Sequence, residues 1–258
     1  MCFRPKSLLI VPYINKYLFV YYHTTINYYS VVHDVNTILF ENLTKPQKEL
    51  LEKVSRLIKD PTVSKLVDEQ VKAFRKVHNS DNHTWFSELC FCLLTANSSA
   101  TLGIKIQNAL QSDGFINLPF EELQQKLKQL GHRFYTKRAE YIVEARKYAK
   151  SIRDIILSFG DDTWNAREWL VKNIKGLGYK EASHFLRNVG YFDFAIIDRH
   201  ILKMLYTHGF ISRIPTTITK RKYFEFERIF KAIADYFDIP PGIFDFYVWY
   251  LSTGKILK

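Results

Sequence analysis

Residues 163–190 read TWNAREWLVKNIKGLGYKEASHFLRNVG, and the short connection KGLGY at 175–179 decides how this chain folds. On its N-terminal side Thr163 is a candidate N-cap, and Ala166, Trp169, Leu170 and Ile174 share one face of a helix expected over 163–174. On its C-terminal side Ala182, Phe185, Leu186 and Val189 recur at helical spacing, with Gly190 placed to end the run. A second helix is therefore expected over 180–189. Gly176 and Gly178 lie between the two, free to take positive φ and to let another molecule approach the backbone. The second helix then offers unpaired N–H groups at its N-terminus, so the hairpin over 163–190 suits a phosphate. A tight turn between packed helices accounts for one glycine, but not for G-x-G followed by a cation. That cation, Lys180, falls in the first helical turn, where the dipole opposes positive charge by roughly 0.3–1 kcal/mol.

Outward from the hairpin, AIIDRHILKML at 195–205 begins another helix, with Ile201, Leu202 and Leu205 periodic after Asp198. Taken alone, Asp198 is an ordinary N-cap. The rest of the chain from Thr44 reads as helix after helix. Thr44 caps KPQKELLEKVSRLIK, whose Leu50, Leu51, Val54, Leu57 and Ile58 make one apolar face. Further helices are expected around 62–77, 84–96, 100–111, 119–130, 136–150, 151–159, 199–208, 220–236 and 242–251. Short separators such as SDGF, FGDD and DIPPG divide them. Nothing alternates long enough for a sheet, so an all-α domain is expected over 44–258.

Residues 1–43 differ. LLIVPYINKYLFVYYHTTINYYSVV is aromatic and β-branched, and no acidic residue precedes Asp34. Pro12, Asn15 and Lys16 interrupt it well short of the roughly 20 apolar residues a membrane span needs, so it is expected to be an N-terminal extension of unknown role. Lys and Arg number 37 against 26 Asp and Glu, a net charge of +11 that favours a polyanionic partner. Cys2, Cys90 and Cys92 follow no disulfide or metal-ligand spacing, and no four-cysteine iron–sulfur cluster is present in the sequence. This pattern points to buried thiols in a reducing, cytoplasmic setting.

GLGYK followed by IIDRH resembles the helix-hairpin-helix DNA glycosylase superfamily, the group that includes endonuclease III. The resemblance implies a two-lobed helical fold in which Gly176 and Gly178 hold DNA, Lys180 is the nucleophile and Asp198 is the second catalytic group. LCFCLLTANSSATLGIKIQNAL, LGHRFYTKRAEYIVEARKYA and the closing DFYVWYLSTGKILK narrow it further. Together with the hairpin they are similar to the type-2 8-oxoguanine DNA glycosylases, over about 44–258.

That family implies a bifunctional enzyme that excises 8-oxoguanine from double-stranded DNA and cleaves the strand at the abasic site through a lysine Schiff base. It implies no metal and no organic cofactor, a monomer, and no membrane. A base in a duplex has to be flipped out before it can be reached, at a cost of a few kcal/mol. Phe134 is the candidate wedge, with Asn97 and Arg133 nearer the orphaned partner base; core packing is the plain alternative for Phe134. Trp249 is expected near the flipped base, and Lys258, the last residue, is expected to contribute recognition. The aromatic stripe Phe244, Phe246, Tyr247, Trp249 and Tyr250 also fits a core helix, and Lys258 also fits a frayed tail.

Three other readings stay open on the residues, one of them a membrane-attached protein that uses its first 43 residues as a peripheral anchor. An endonuclease III-like enzyme for another oxidised base would share Lys180 and Asp198, although the missing cysteines and Lys258 count against it. A non-catalytic helix-hairpin-helix DNA-binding module would keep Gly176 and Gly178 but needs neither Lys180 nor Asp198.

Overall fold

Acidic and hydroxyl N-caps set where half of the twelve described α-helices begin. In the computed structural model, which describes residues 42–258, Asp60 Oδ1 accepts from the Thr62 and Val63 N–H groups at 2.8 and 3.3 Å. Asp81 accepts from Thr84 N at 2.8 Å, Ser99 from Leu102 N at 3.1 Å and Thr219 from Lys222 N at 3.3 Å. Each removes an orphan donor at a helix start. At the hairpin the cap is Asp162, which accepts from Asn165 N at 3.1 Å, and not Thr163, which is the first helical residue. A carboxylate one position upstream outcompetes the hydroxyl.

The helices follow in the order α1 (Lys45–Lys59), α2 (Pro61–His78), α3 (Asn82–Thr95), α4 (Ala100–Asn117), α5 (Phe120–Gln129) and α6 (Tyr135–Ala145). A 3-10 turn at Arg146–Tyr148 leads to α7 (Ile152–Leu157), α8 (Thr163–Asn173) and α9 (Tyr179–Asn188). α10 (Arg199–Thr207), α11 (Lys220–Asp235) and α12 (Pro241–Thr253) complete the chain. No strand occurs among the described residues. The extension expected over 1–43 lies, apart from its last two residues, outside them.

One expected separator is helical. SDGF lies inside α4, which passes through a break at Gln111 (φ 53°) and resumes to Asn117. Burial explains it. Phe115 is fully buried in the core, and Arg146 donates to the carbonyls of Phe115 and Leu118 at 2.8 and 2.6 Å, which ends the second segment without a loop.

Two lobes result. α3 is buried on every side from Trp85 to Thr95 and forms the axis of the first, packed by α4, α6, α7 and α9. α1 and α2 meet α12 in the second, with α10 and α11 against the same helix. The hairpin helices α8 and α9 are tied to this second lobe by two buried ion pairs. Arg167 grips Glu227 of α11 through two hydrogen bonds of 2.7 and 3.1 Å, and Arg187 donates to Asp245 of α12 at 2.6 Å. Removing one partner of such a pair leaves an uncompensated buried charge and costs about 3–5 kcal/mol. The pairs fix the hairpin relative to the helices that follow it.

Candidate active site

The hairpin turns at Gly176, whose φ is +90°. A Cβ there would collide with the Tyr141 ring, so both the backbone conformation and the space demand glycine. Gly178 is different: its φ is −95°, and a Cβ would meet only Glu181 Oε2 at 3.3 Å. The positive φ expected of both glycines is needed at one of them. Gly176→Ala is expected to destabilise the protein by about 1–3 kcal/mol through strain and overpacking. Gly178→Ala should cost less than half as much in a paired denaturant melt.

Lys180 opens the first turn of α9 with its side chain 25% exposed. Its Nζ lies 3.5 Å from Glu181 Oε1, while Glu181 Oε2 accepts from Gly178 N at 3.3 Å. The adjacent carboxylate therefore serves the helix N-terminus and the cation together, which offsets the mismatch between Lys180 and the dipole.

Lys180 shares a small cavity with Asp198, the N-cap of α10. Asp198 Oδ1 accepts from His200 N and Ile201 N at 2.8 and 2.9 Å. The capping role and a place in the site thus coexist, since a carboxylate has a second oxygen to present. The cavity measures about 80 Å³. Pockets that hold organic ligands run to roughly 300–1,000 Å³, so the cavity as it stands is smaller than such a pocket.

Trp249 and Lys258 are part of the cavity wall. Lys258 Nζ lies 2.6 Å from Glu88 Oε1 and 4.8 Å from the Phe91 ring centroid. Glu88 is itself buried on α3 and also accepts from Gln107 and Asn188 at 3.1 and 3.0 Å. Lys258 is therefore anchored in the first lobe and is not a frayed tail. Trp249 packs edge-on against His200 at 4.7 Å, half-buried, while Phe244, Phe246 and Tyr247 are the core residues of the stripe.

Asn97, Arg133 and Phe134 stand apart from the cavity lining. Asn97 is exposed at the end of α3 with φ 57°, a conformation asparagine tolerates. Phe134 is half-buried at the start of α6, and the exposed Arg133 covers its ring at 4.4 Å. Two buried hydrogen bonds bring this turn to the end of α3: His132 Nε2 meets the Leu94 carbonyl at 2.9 Å, and Arg138 donates to that of Ala96 at 2.6 Å. Phe134 is not a core side chain.

The cavity also holds groups that the sequence reading missed. His184 and Arg187 line it, and so does Asp245. Lys180, His184 and Arg187 stand at i, i+4 and i+7 on one face of α9, and that spacing was a usable signal. Asp245, an acid inside an aromatic run, was another. Burial pushes the Asp245 carboxyl up to about 6, against the pull of Arg187 and with a further push from Asp198. Burial likewise lowers the Arg187 guanidinium, with Asp245 opposing. His184 is held well below the usual imidazole range by burial, then by Arg187, Lys180 and Lys258. The thiols of Cys90 and Cys92 are fully buried and raised by burial, which keeps them as inert thiols.

The sequence profile of the 8-oxoguanine DNA glycosylase family matches residues 67–239. The 8-oxoguanine DNA glycosylase/AP lyase of Methanocaldococcus jannaschii is 53% identical over 209 residues, which cover 81% of this chain and 99% of the relative. The crystal structure of the M. jannaschii 8-oxoguanine glycosylase/lyase with a 15mer DNA containing 8-oxoguanine superposes with a TM-score of 0.78 at 51% identity. It covers 81% of this chain and all of that one. The crystal structure of the 8-oxoguanine DNA glycosylase of Thermotoga maritima gives a TM-score of 0.77 at 42% identity, over 82% of this chain and 99% of the other. A glycine hairpin, a first-turn lysine and a capping aspartate at one cavity, in a helical chain matched over most of its length, place the protein: it belongs to the 8-oxoguanine DNA glycosylase family.

Proposed function

We propose that this protein removes 8-oxoguanine from double-stranded DNA and then cuts the strand at the abasic site. The observation that carries the reading is the convergence of Lys180 and Asp198 on one cavity beside the Gly176 turn. The Lys180 amine attacks C1′ of the flipped nucleotide as the N-glycosidic bond breaks, and the base leaves with the bonding electron pair and takes up one proton of the attacking amine. The ionised Asp198 stabilises the positive charge that grows on the sugar. Loss of the amine's proton and opening of the sugar give a Schiff base. Removal of a C2′ proton then drives β-elimination, which breaks the C3′–O bond and releases the 3′ phosphate.

The hairpin backbone at Gly176 and Gly178 takes the DNA backbone, while Phe134 fills the gap left by the flipped nucleotide, with Asn97 and Arg133 at the partner base. Trp249 and Lys258 meet the damaged base. The catalytic unit spans 44–258 and works as a monomer in the cytoplasm, without help from residues 1–43. No described helix is long and apolar enough to cross a membrane.

The test is an end-labelled duplex with a single 8-oxoguanine, incubated with the full chain and borohydride. A trapped covalent complex, and a cut strand when borohydride is omitted, are expected. A parallel duplex carrying an oxidised pyrimidine should stay intact; the reverse pattern would reassign the enzyme to the endonuclease III-like lesion class.

A further inference from the structure

The hairpin already holds an anion of its own. Gly178 is the N-cap of α9, and its N–H donates to Glu181 Oε2 at 3.3 Å. A Cβ at Gly178 would meet that same oxygen and, chain neighbours aside, no other atom within 4 Å. The glycine leaves one face of the backbone open, and the Glu181 carboxylate fills it. Its other oxygen, Oε1, lies 3.5 Å from Lys180 Nζ, and no other carboxylate pairs with that amine among the described residues. One side chain thus occupies a donor that the proposed function gives to DNA and holds the amine that it gives to C1′.

A carboxylate three residues into a helix is an ordinary partner for the cap N–H, which accounts for the contact with Gly178. It does not account for Arg138. This residue of α6 is 7% exposed, donates through Nη2 to the Ala96 carbonyl at 2.6 Å, and stands over the Tyr141 ring at 5.7 Å, the ring against which Gly176 turns. Its Nε is buried without a hydrogen-bond partner among the described residues. Buried donors are paired in the great majority of cases, because leaving one unpaired is costly. Burial works against the charge of the Arg138 guanidinium, and the Glu181 carboxylate is the foremost group that favours it. The carboxylate therefore has a second place to go, on a buried cation beside the hairpin.

On the reading that Lys180 is the nucleophile and the hairpin takes the DNA backbone, we propose that Glu181 is a latch that DNA opens. Without DNA its carboxylate stands in for a phosphate at the Gly178 N–H and keeps Lys180 Nζ in an ion pair. A backbone phosphate arriving at Gly178 brings a second anion to the same donor, and like charges cannot share it. Glu181 then turns to Arg138 Nε, where a charge-assisted hydrogen bond replaces the one it gave up. Lys180 loses its carboxylate partner on α9 and is left to the cavity it shares with Asp198. Gripping the strand and releasing the amine become one event. Glu181 is a positioning residue, and no covalent step passes through it.

The experiment uses the full chain and a duplex with a reduced abasic site, which the lyase step cannot cut. Glu181→Gln keeps an acceptor for the Gly178 N–H, and so the cap, while removing the charge that competes with phosphate. It should tighten duplex binding about 3- to 10-fold and steepen the fall of log K with log salt by about 0.9, the share of one further neutralised phosphate. Glu181→Asp, which restores the charge, should bring the slope back. Without DNA, reductive trapping of glycolaldehyde on Lys180, read by peptide mass spectrometry, should be about 2- to 5-fold faster in Glu181→Gln, the scale of one partly exposed ion pair. In the amide spectrum of isotope-labelled protein, the Gly178 resonance should differ between wild type and Glu181→Gln when free and coincide when both hold the duplex. The Arg138 Nε–H should move downfield on binding in wild type and not in Glu181→Ala. A wild-type salt slope or trapping rate in Glu181→Gln, Gly178 resonances that stay apart in the two complexes, or an Arg138 signal indifferent to Glu181 overturns the latch. Failure of the wild type to form a borohydride-trapped adduct on an unreduced abasic duplex would instead overturn the proposed function.

Discussion

Lys180→Gln should abolish base release and borohydride trapping together, lowering excision by about 10⁴-fold or more, the scale on which loss of a covalent nucleophile is felt. The glutamine keeps the length of the stem and a polar end but carries no nucleophilic amine. Little else depends on the side chain. Its one ion pair among the described residues, with Glu181 at 3.5 Å, is long and partly exposed, and such pairs contribute about 0–1 kcal/mol. The hairpin is shaped by Gly176 and Tyr141, which the substitution leaves alone. Thermal unfolding within a few degrees of wild type and near-normal affinity for an 8-oxoguanine duplex are therefore expected alongside the lost chemistry. A Lys180→Gln protein that still forms the trapped adduct would move the nucleophile to another residue, with Lys258 the first to try.

Asp198→Asn separates capping from catalysis. Asparagine is as good an N-cap as aspartate, and its side-chain oxygen can accept from His200 N and Ile201 N as Asp198 does now at 2.8 and 2.9 Å. Stability should change by less than about 1 kcal/mol, the loss being that of a charge at a helix N-terminus. Excision should nevertheless fall by about 10²–10³-fold, because the neutral amide no longer stabilises positive charge on the sugar. Asp198→Ala would lose the cap as well, adding about 1 kcal/mol of destabilisation. Comparing the two variants by denaturant melt and single-turnover rate assigns each effect to its cause. Excision by Asp198→Asn within a few-fold of wild type would leave the residue as a cap alone.

The buried ion pairs bear on both results. Lys180 rides on α9 and Asp198 leads into α10, and the distance between them is held by contacts made elsewhere. Arg187 joins α9 to Asp245, and Glu227 accepts both from Arg167 and from the Ala195 N–H, at 2.7 and 3.2 Å, just before Asp198. Tyr223 donates to the Ala195 carbonyl at 2.8 Å on the same stretch. The segment that carries Asp198 to the cavity is thus bonded on both its backbone edges.

The amino-acid sequence alone determined what short-range chemistry determines. Apolar residues at helical spacing, bounded by Asp, Ser, Thr, Gly and Pro, dictate the helices, because caps and periodicity act within a few residues. Gly176 announces its turn, and Lys180 stands out because a cation is misplaced at a helix start. Local reading erred where neighbours compete: Asp162 displaced Thr163 as cap, Gly178 needed no positive φ, and burial of Phe115 drew SDGF into a helix. Only the tertiary structure decided the composition of the cavity. Arg187 finds Asp245 across 58 residues, Arg167 finds Glu227 across 60, and Lys258 finds Glu88 across 170. No local pattern encodes such partners, since a charged side chain reads as solvent-exposed until the packing of two lobes takes the water away and requires each buried charge to meet its opposite.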